Sequence, residues 1–296
     1  MLSSKNILVT GANGLIGTEL CHQLTKNGYT VRTLSRSHAD FKWDTDIDYI
    51  DTQALNGIHC IVHLAGETIA QRWNVGAKSR IASSRIQSTR LLMREIARHG
   101  RPLDFISASG INYYGFKSAH QLTESAPAGA GFLADLCQDW EQSATDAAAS
   151  TLIQRTAFIR TGVVLTPKGG ALPKMLMPFK AGFGGRLGSG EQMMSWITLT
   201  DIVRIYIKAI EDDNLSGPVN AVTPFPISNI EFTKTLGRLL HRPTLAPCPE
   251  FILRLILGEM ARETILCDLK VVPQKLQEAG FQWKFPHLAQ ALQEML

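Results

Sequence analysis

The stretch Lys5-Asn-Ile-Leu-Val-Thr-Gly-Ala-Asn-Gly-Leu-Ile-Gly17 constrains the fold more than any other part of this chain. Ile7, Leu8 and Val9 form a short, branched apolar run, the pattern of a parallel strand covered on both faces. Thr10 opens a turn containing Gly11, Gly14 and Gly17, after which Ile16, Leu20 and Leu24 recur at helical spacing until Asn27-Gly28 stops the helix. Gly11 admits backbone angles closed to residues with a Cβ, Gly14 lets a diphosphate approach the main chain, and Gly17 lets helix and strand pack closely. Free amides and the positive end of the helix dipole then face the phosphates. Glycine turns between strands and helices are common, but the strand before this one and the amphipathic helix after it agree on dinucleotide binding. The whole loop is therefore assigned to a cofactor: Gly11, Ala12, Asn13, Gly14, Leu15, Ile16 and Gly17.

Residues 29–34 alternate as a second strand, with Ser35-Arg36 at its carboxyl end, where open α/β sheets hold their ligands. An acid there would accept from ribose hydroxyls, whereas a cation suits a 2′-phosphate, so Arg36 points to NADP rather than NAD. Too few residues separate Arg36 from a third strand at 41–43 to form a crossover helix, and a truncated loop is expected instead. A helical turn over 51–55 and a fourth strand over 58–64 follow. Ala65-Gly66 at the end of that strand is small enough for a cofactor to lie against the backbone. His59 and His63 lack metal-binding company and are read as strand side chains; no metal site is expected.

A long helix is expected over 78–99, with Ile81, Ile86, Leu91 or Leu92, and Ile96 toward the core and its arginines on the polar side. Gly100-Arg-Pro102 ends it. A fifth strand at 103–106 has Ser107-Ala-Ser109 at its end, a helix spans 132–149, and a strand at 156–159 leads into 160–165. Alternating strands and helices of this kind imply a doubly wound parallel sheet. From about Pro167 glycine and methionine become dense, as in a lid or substrate face rather than a packed core. Residues 195–198 read as a strand returning to the main sheet, and a helix begins near Asp201. Ser228-Asn-Ile-Glu231 reads as a capping box for a helix to 240, and two further helices are expected over 249–260 and 273–279.

With 296 residues the chain can bury a large core, and hydrophobic content of 45% with 19% charged residues describes an ordinary globular protein. The net charge of +4 is dispersed, without a basic arm, so nucleic acid and anionic membrane are not expected as partners, whereas an anionic small molecule is compatible. The 5 cysteines contain no Cys-x-x-Cys pair and imply reduced thiols in the cytoplasm. The first strand begins so early that no signal peptide is expected. The apolar run 251–257 is interrupted by Arg254, so no membrane span is expected.

Several strings carry a resemblance. Thr10-Gly-Ala-Asn-Gly-Leu-Ile-Gly17, His63-Leu-Ala-Gly66, Tyr114-Gly115 and Trp196-Ile-Thr-Leu-Thr-Asp201 together resemble the extended short-chain dehydrogenase/reductase superfamily, the nucleotide-sugar epimerases and their relatives. Further strings are similar to its atypical "epimerase family" branch: Leu64-Ala-Gly-Glu67 with Arg72-Trp73, Ser84-Arg85, and Ser107-Ala-Ser109 with Tyr113-Tyr-Gly115. Arg160-Thr-Gly-Val-Val-Leu165, and Val272-Pro273 with Glu278-Ala-Gly-Phe281, belong to the same set. The resemblance implies a Rossmann-like α/β domain over 1–246 and a small helical C-terminal domain of unknown function over 247–296. It also implies that Ser35, Arg36, Leu64, Ala65, Arg85, Val163 and Val164 lie near NADP.

The departure from that family concerns the acid/base pair. Active members use Tyr-x-x-x-Lys, in which the lysine and the cofactor's charge lower the tyrosine pKa. Alignment on Glu141 places Leu133 where tyrosine belongs and Cys137 where lysine belongs, and neither can do that work. The residues left to stand in are Ser109, Tyr113 and Tyr114, with Glu67 and Glu124 as further candidates. Packing at a pocket wall remains the alternative role for the tyrosines, and a buried Cys137 is expected to be inert. Two functions stay open: an NADP-dependent oxidoreductase or epimerase acting on an unidentified small molecule, and a module that holds NADP(H) without hydride transfer. The helices at 78–99 and 132–149 offer a surface for a homodimer.

Overall fold

In strand β1 (Asn6–Thr10) the branched run does what its composition predicts, and Ile7, Leu8 and Val9 are fully shielded from solvent. The computed structural model describes residues 5–145 and 151–296. From β1 the chain turns into α1 (Leu15–Lys26), which buries Leu20 and Leu24 and is followed by Gly28 at φ 85°. Strand β2 (Thr30–Ser35) lies parallel to β1, and β3 (Phe41–Asp44) lies parallel to β2 after the short link expected at 36–40. Asp40 tightens that link by accepting from the Thr33 amide (2.8 Å) and hydroxyl (2.9 Å). Strand β4 (Tyr49–Ile50) closes this edge antiparallel to β3.

A 3-10 turn at Thr52–Leu55 leads to β5 (Cys60–His63), and α2 (Val75–His99) follows. The helix starts earlier than residue 78 because Asn74 Oδ1 accepts the Ala77 amide (2.8 Å). Strand β6 (Leu103–Gly110) runs through Ser107 and Ser109 instead of stopping before them. Beyond a 3-10 turn at Ile111–Tyr114 come β7 (Lys117–Leu122) and α3 (Phe132–Ser143). The expected end of that helix, 146–149, lies outside the described residues. Strands β8 (Ile153–Thr161) and β9 (Val163–Leu165) precede α4 (Ala171–Lys180). Then come β10 (Met193–Met194), β11 (Trp196–Thr198), α5 (Leu199–Glu211), β12 (Gly217–Ala221), β13 (Ile227–Ser228) and α6 (Asn229–Leu239). The chain finishes with α7 (Glu250–Leu257), β14 (Asp268–Val271), α8 (Gln274–Glu278) and α9 (Leu288–Met295).

The main sheet has 8 strands in the order β12-β8-β6-β5-β1-β2-β3-β4, parallel except at β4. Helices α1 and α5 cover one face, where Leu20, Leu24, Ile202 and Ile205 pack on Ile7, Val9 and Val62. On the other face Leu91, Leu92 and Ile96 of α2 pack on Leu8, Ile61 and Phe105. This is the Rossmann-like, doubly wound arrangement, and its strand order reverses between β1 and β5, where such sheets leave a crevice.

Two expectations need correction. Strand β11 does not return to the main sheet; it pairs with β9 in a separate two-stranded sheet, and β12 takes the place beside β8. Gly162 is the reason, because a Cβ there would stand 2.7 Å from Ser195 O and from Val222 Cγ1, and the chain can cross over at this point only without one. The glycine-rich region after 167 is also not all loop. Leu172, Leu176 and Phe179 of α4 are buried in a third cluster with Trp196, Phe232 and Leu292. Their helical spacing is masked in the sequence by the glycines on either side. The C-terminal segment is knitted in as well: β14 pairs with β7, Asp201 accepts from the Lys284 and Phe285 amides (2.8 and 2.9 Å), and Glu263 caps α3 through the Phe132 and Leu133 amides (3.1 and 2.9 Å).

Candidate functional site

The crevice between β1 and β5 is built from glycines that have no room for a side chain. Gly11 adopts φ 67°, and a Cβ on it would stand 2.7 Å from the Leu64 carbonyl and 2.8 Å from the Ala65 nitrogen. A Cβ on Gly17 would overlap the Gly11 carbonyl oxygen and stand 2.8 Å from Ala12 Cα. Gly14 has more room, with a single contact at 3.2 Å, and its amide donates to Gly11 O (2.9 Å). Helix α1 has no side-chain N-cap and no acid in its first turn, so an anion meets neither a competing acceptor nor a like charge there. Ala12 is buried, and Asn13 reaches across to His38 O (2.9 Å).

The other sequence-assigned residues fall into three groups. Leu15, Ile16, Leu64 and Val164 share one apolar cluster, while Val163, its neighbour on β9, packs into the third cluster. Gly66 meets Arg85: a Cβ on Gly66 would stand 2.9 Å from the guanidinium carbon. Ser35 and Arg36 lie at the end of β2, where Ser35 Oγ accepts the Ser37 amide (3.2 Å) and the exposed Arg36 is close enough to act on the Glu67 carboxylate. Read from the helix pattern alone, Arg85 is a solvated residue, and the structure overturns that reading. Its guanidinium lies over the Trp140 ring (5.2 Å to the centroid), donates to Ile81 O (3.0 Å), and has no carboxylate within salt-bridge reach among the described residues. Burial holds it below the usual arginine range.

Behind the crevice His63 is fully buried, with Nδ1 2.7 Å from Thr10 Oγ1 and Nε2 3.2 and 3.1 Å from the Ser88 and Thr89 hydroxyls. Burial, and secondarily Arg85, push its pKa from 6.5 down to about 3. The folded pKa is the depressed one, so the stability His63 contributes is present above about pH 6.5 and is lost as pH falls toward 3. Acidifying from pH 7 to pH 5 is expected to remove about 2 kcal/mol on this account. Melting curves at the two pH values check it: the drop should shrink in His63→Gln, and an unchanged drop would exclude His63 as its source.

At the acid/base position Leu133 and Cys137 are both buried, and burial lifts the Cys137 thiol to about 11, so it is no thiolate at neutral pH. Ser109 donates to Glu141 Oε1 (2.6 Å). Arg160, 3% exposed, donates to both Glu141 oxygens (2.9 and 2.8 Å) and to Tyr114 Oη (2.9 Å), and Tyr114 in turn donates to Asn220 Oδ1 (2.8 Å). The Ser109 and Tyr114 protons are thereby committed within the protein. The half-buried Tyr113 lies with its ring face 3.4 Å from the Arg160 guanidinium carbon. Glu124 accepts the Asn220 and Lys275 amides through Oε1 (3.1 and 3.3 Å), leaves Oε2 unpartnered, and is raised by burial. Glu67 accepts from Gln71 and Arg80, contacts that hold it below the usual carboxylate range. Sequence reasoning used Glu141 only as an alignment mark and missed its pairing with Arg160. The available signal was an arginine directly continuing the apolar run Ala157-Phe158-Ile159.

Among the described residues no helix is long and apolar enough to cross a membrane, and no cluster of His, Cys, Asp and Glu could hold a metal. The model of the NAD dependent epimerase/dehydratase family matches residues 7–221, and that of a domain of unknown function (DUF1731) matches 248–295. An epimerase family protein of Mycobacterium tuberculosis is 40% identical over 97% of this chain and 96% of its own length. The crystal structure of the human epimerase family protein SDR39U1 (isoform 2) with NADPH is similar at a TM-score of 0.87 and 31% identity, covering 98% of both chains. A nucleoside-diphosphate sugar epimerase from Corynebacterium glutamicum is similar at a TM-score of 0.82 and 33% identity over 99% of this chain, which spans 58% of that longer one.

Proposed function

The chain belongs to the NAD dependent epimerase/dehydratase family, and from that premise we propose that it binds NADP(H) between β1 and β5. We propose further that it acts on a small molecule as an oxidoreductase- or epimerase-like protein without a Tyr-x-x-x-Lys pair. The observation that carries this reading is the crevice: a glycine turn with no space for a Cβ, and near it a half-buried arginine with no carboxylate partner among the described residues.

In this reading amides of the 11–17 turn other than that of Gly14, which is given to Gly11 O, hold the diphosphate. Ser35 and Arg36 hold the adenosine 2′-phosphate, and Leu64, Ala65, Gly66, Val163 and Val164 wall the nucleotide. Arg85 supplies the fixed positive charge that Cys137 does not. The bound nicotinamide supplies or accepts a hydride. The proton is delivered to the substrate when it is reduced and taken from it when it is oxidised, by water or by Tyr113, because Ser109 and Tyr114 donate theirs internally. The human relative crystallised with NADPH supports this choice of nucleotide. Titration calorimetry tests it. NADPH should bind more tightly than NADH, and Arg36→Ala should shrink that preference by about tenfold or more, the worth of a charge-assisted contact. Equal affinity for both nucleotides in the wild type would remove Arg36 from the site.

A second reading, a module that holds NADP(H) without turnover, is favoured by the same committed protons and by the raised Cys137 thiol. It predicts thermal stabilisation by NADPH with no NADPH oxidation against sugar nucleotides, aldehydes and ketones. Turnover abolished by Tyr113→Phe would exclude it. The division after residue 246 and a reducing, cytoplasmic setting belong to the proposal, the latter supported by Cys21, Cys60, Cys137, Cys248 and Cys267 all being free. A homodimer through α2 and α3 would close a mixed groove lined by Ala82, Ile86, Gln87, Arg90, Asp139 and Gln142.

A further inference from the structure

We infer that His63 is a positioning residue for the crevice: a neutral imidazole, protonated on Nε2, that ties both the turn after β5 and the Arg85 turn of α2 to the last residue of β1. The inference rests on reading the crevice as a nucleotide site.

Counting protons along the chain of contacts leads to it. Thr10 Oγ1 accepts from the Ala65 amide and shares the Leu64 amide with Thr10 O, all at 3.2 Å. A hydroxyl has one proton and two lone pairs, so the Thr10 proton is left for His63 Nδ1, 2.7 Å away, and Nδ1 is the bare nitrogen. On the far side the Ser88 hydroxyl donates to the Ser84 carbonyl (2.8 Å), with the Arg85 carbonyl also in reach (3.0 Å). The Thr89 hydroxyl donates to the Arg85 carbonyl (2.7 Å). Their lone pairs face Nε2, which therefore carries the ring proton. From β3, β6 and α3 the imidazole meets the rings of Trp43, Phe105 and Trp140, and the charged group acting on it is Arg85.

The run of bonds therefore spans the floor of the crevice. Thr10 precedes Gly11, Leu64 and Ala65 are the backbone that Gly11 nearly touches, and the far end grips the turn that carries Arg85. The approach of Gly11 to Leu64 leaves no slack, so freeing the Ala65 amide shifts a wall that the nucleotide would lie against. Thr10, His63, Ser88 and Thr89 are all buried, and water cannot replace a lost partner without opening the packing.

Calorimetry on Thr10→Val and Thr10→Ser tests the inference, with His63→Leu as a third variant if it folds. Thr10→Val keeps the volume but strands the Ala65 amide and Nδ1, while the Leu64 amide keeps Thr10 O. It should weaken NADPH and NADH alike by about tenfold or more, leaving their ratio unchanged because Arg36 is untouched. Thr10→Ser should bind like the wild type. Thr10→Val that binds as tightly as the wild type, whatever its melting temperature, overturns the inference and leaves the nucleotide reading standing. A wild type that binds neither nucleotide overturns both. Nitrogen-15 NMR of labelled histidine should give a bare Nδ1 and a protonated Nε2. A protonated Nδ1 overturns the inference independently of any ligand.

Discussion

Alanine in place of Gly17 is expected to cost about 3 kcal/mol or more and to abolish nucleotide binding. The added Cβ would overlap the Gly11 carbonyl oxygen and stand 2.8 Å from Ala12 Cα and 2.9 Å from the Gly11 carbonyl carbon. All three are backbone atoms, so no rotamer change relieves the clash. Helix α1 must move off the turn, and the amides proposed to hold the diphosphate move with it. Alanine at Gly14 makes the contrast. Its one contact, at 3.2 Å to Gly11 O, asks for a shift of a few tenths of an ångström, so stability should change by less than about 1 kcal/mol. Binding should still fall, because in the proposed site the methyl group would stand where the diphosphate approaches. Thermal melts and calorimetry on both variants separate the two roles. A Gly17→Ala protein that melts with the wild type, or melts above Gly14→Ala, would contradict the packing argument.

Removing the Glu141 carboxylate is expected to destabilise the fold by about 3–5 kcal/mol, the usual result of stranding one member of a buried pair. Burial works against the charge of Arg160, yet the hydrogen bonds and charge of Glu141 more than compensate and hold the guanidinium above its ordinary range. Without Glu141 that cation, 3% exposed, keeps Tyr114 as its polar contact and stacks on Tyr113. Ser109 loses its acceptor at the same time. Urea denaturation of Glu141→Leu reads the loss. The double variant Glu141→Leu with Arg160→Met should recover part of it, since an apolar pair leaves no stranded charge. A double variant less stable than the single one would mean that the pair itself, and not the orphaned arginine, sets the cost.

The parts of the site that were legible in the sequence are those made by near neighbours along the chain. The strand, glycine turn and helix at 6–26 are local, because glycine spacing and apolar period act within a few residues. The missing crossover helix between β2 and β3 followed from counting residues, and the absence of tyrosine and lysine on α3 followed from one glutamate used as a mark. The cap at Ser228 was equally local, its hydroxyl accepting the Glu231 amide at 3.2 Å.

What the tertiary structure decided depends on contacts between distant segments. Lys117–Leu122 has too few apolar residues to read as a strand, and it becomes one because β14 arrives beside it from far along the chain. Arg160 and Glu141 are unremarkable apart; the register of β8 against β6 sets Arg160 beside Ser109, and packing of α3 brings Glu141 to both. Arg85 lies on a polar-looking helix stripe and is half-buried because Trp140 and Gly66 meet it there. Hydrogen bonds and charge pairs act over a few ångströms in space, whatever the separation in sequence. The chain alone therefore determined the elements of strong local period and that β1 opens into a glycine turn, while folding determined strands such as β7 and which side chains the elements bring together.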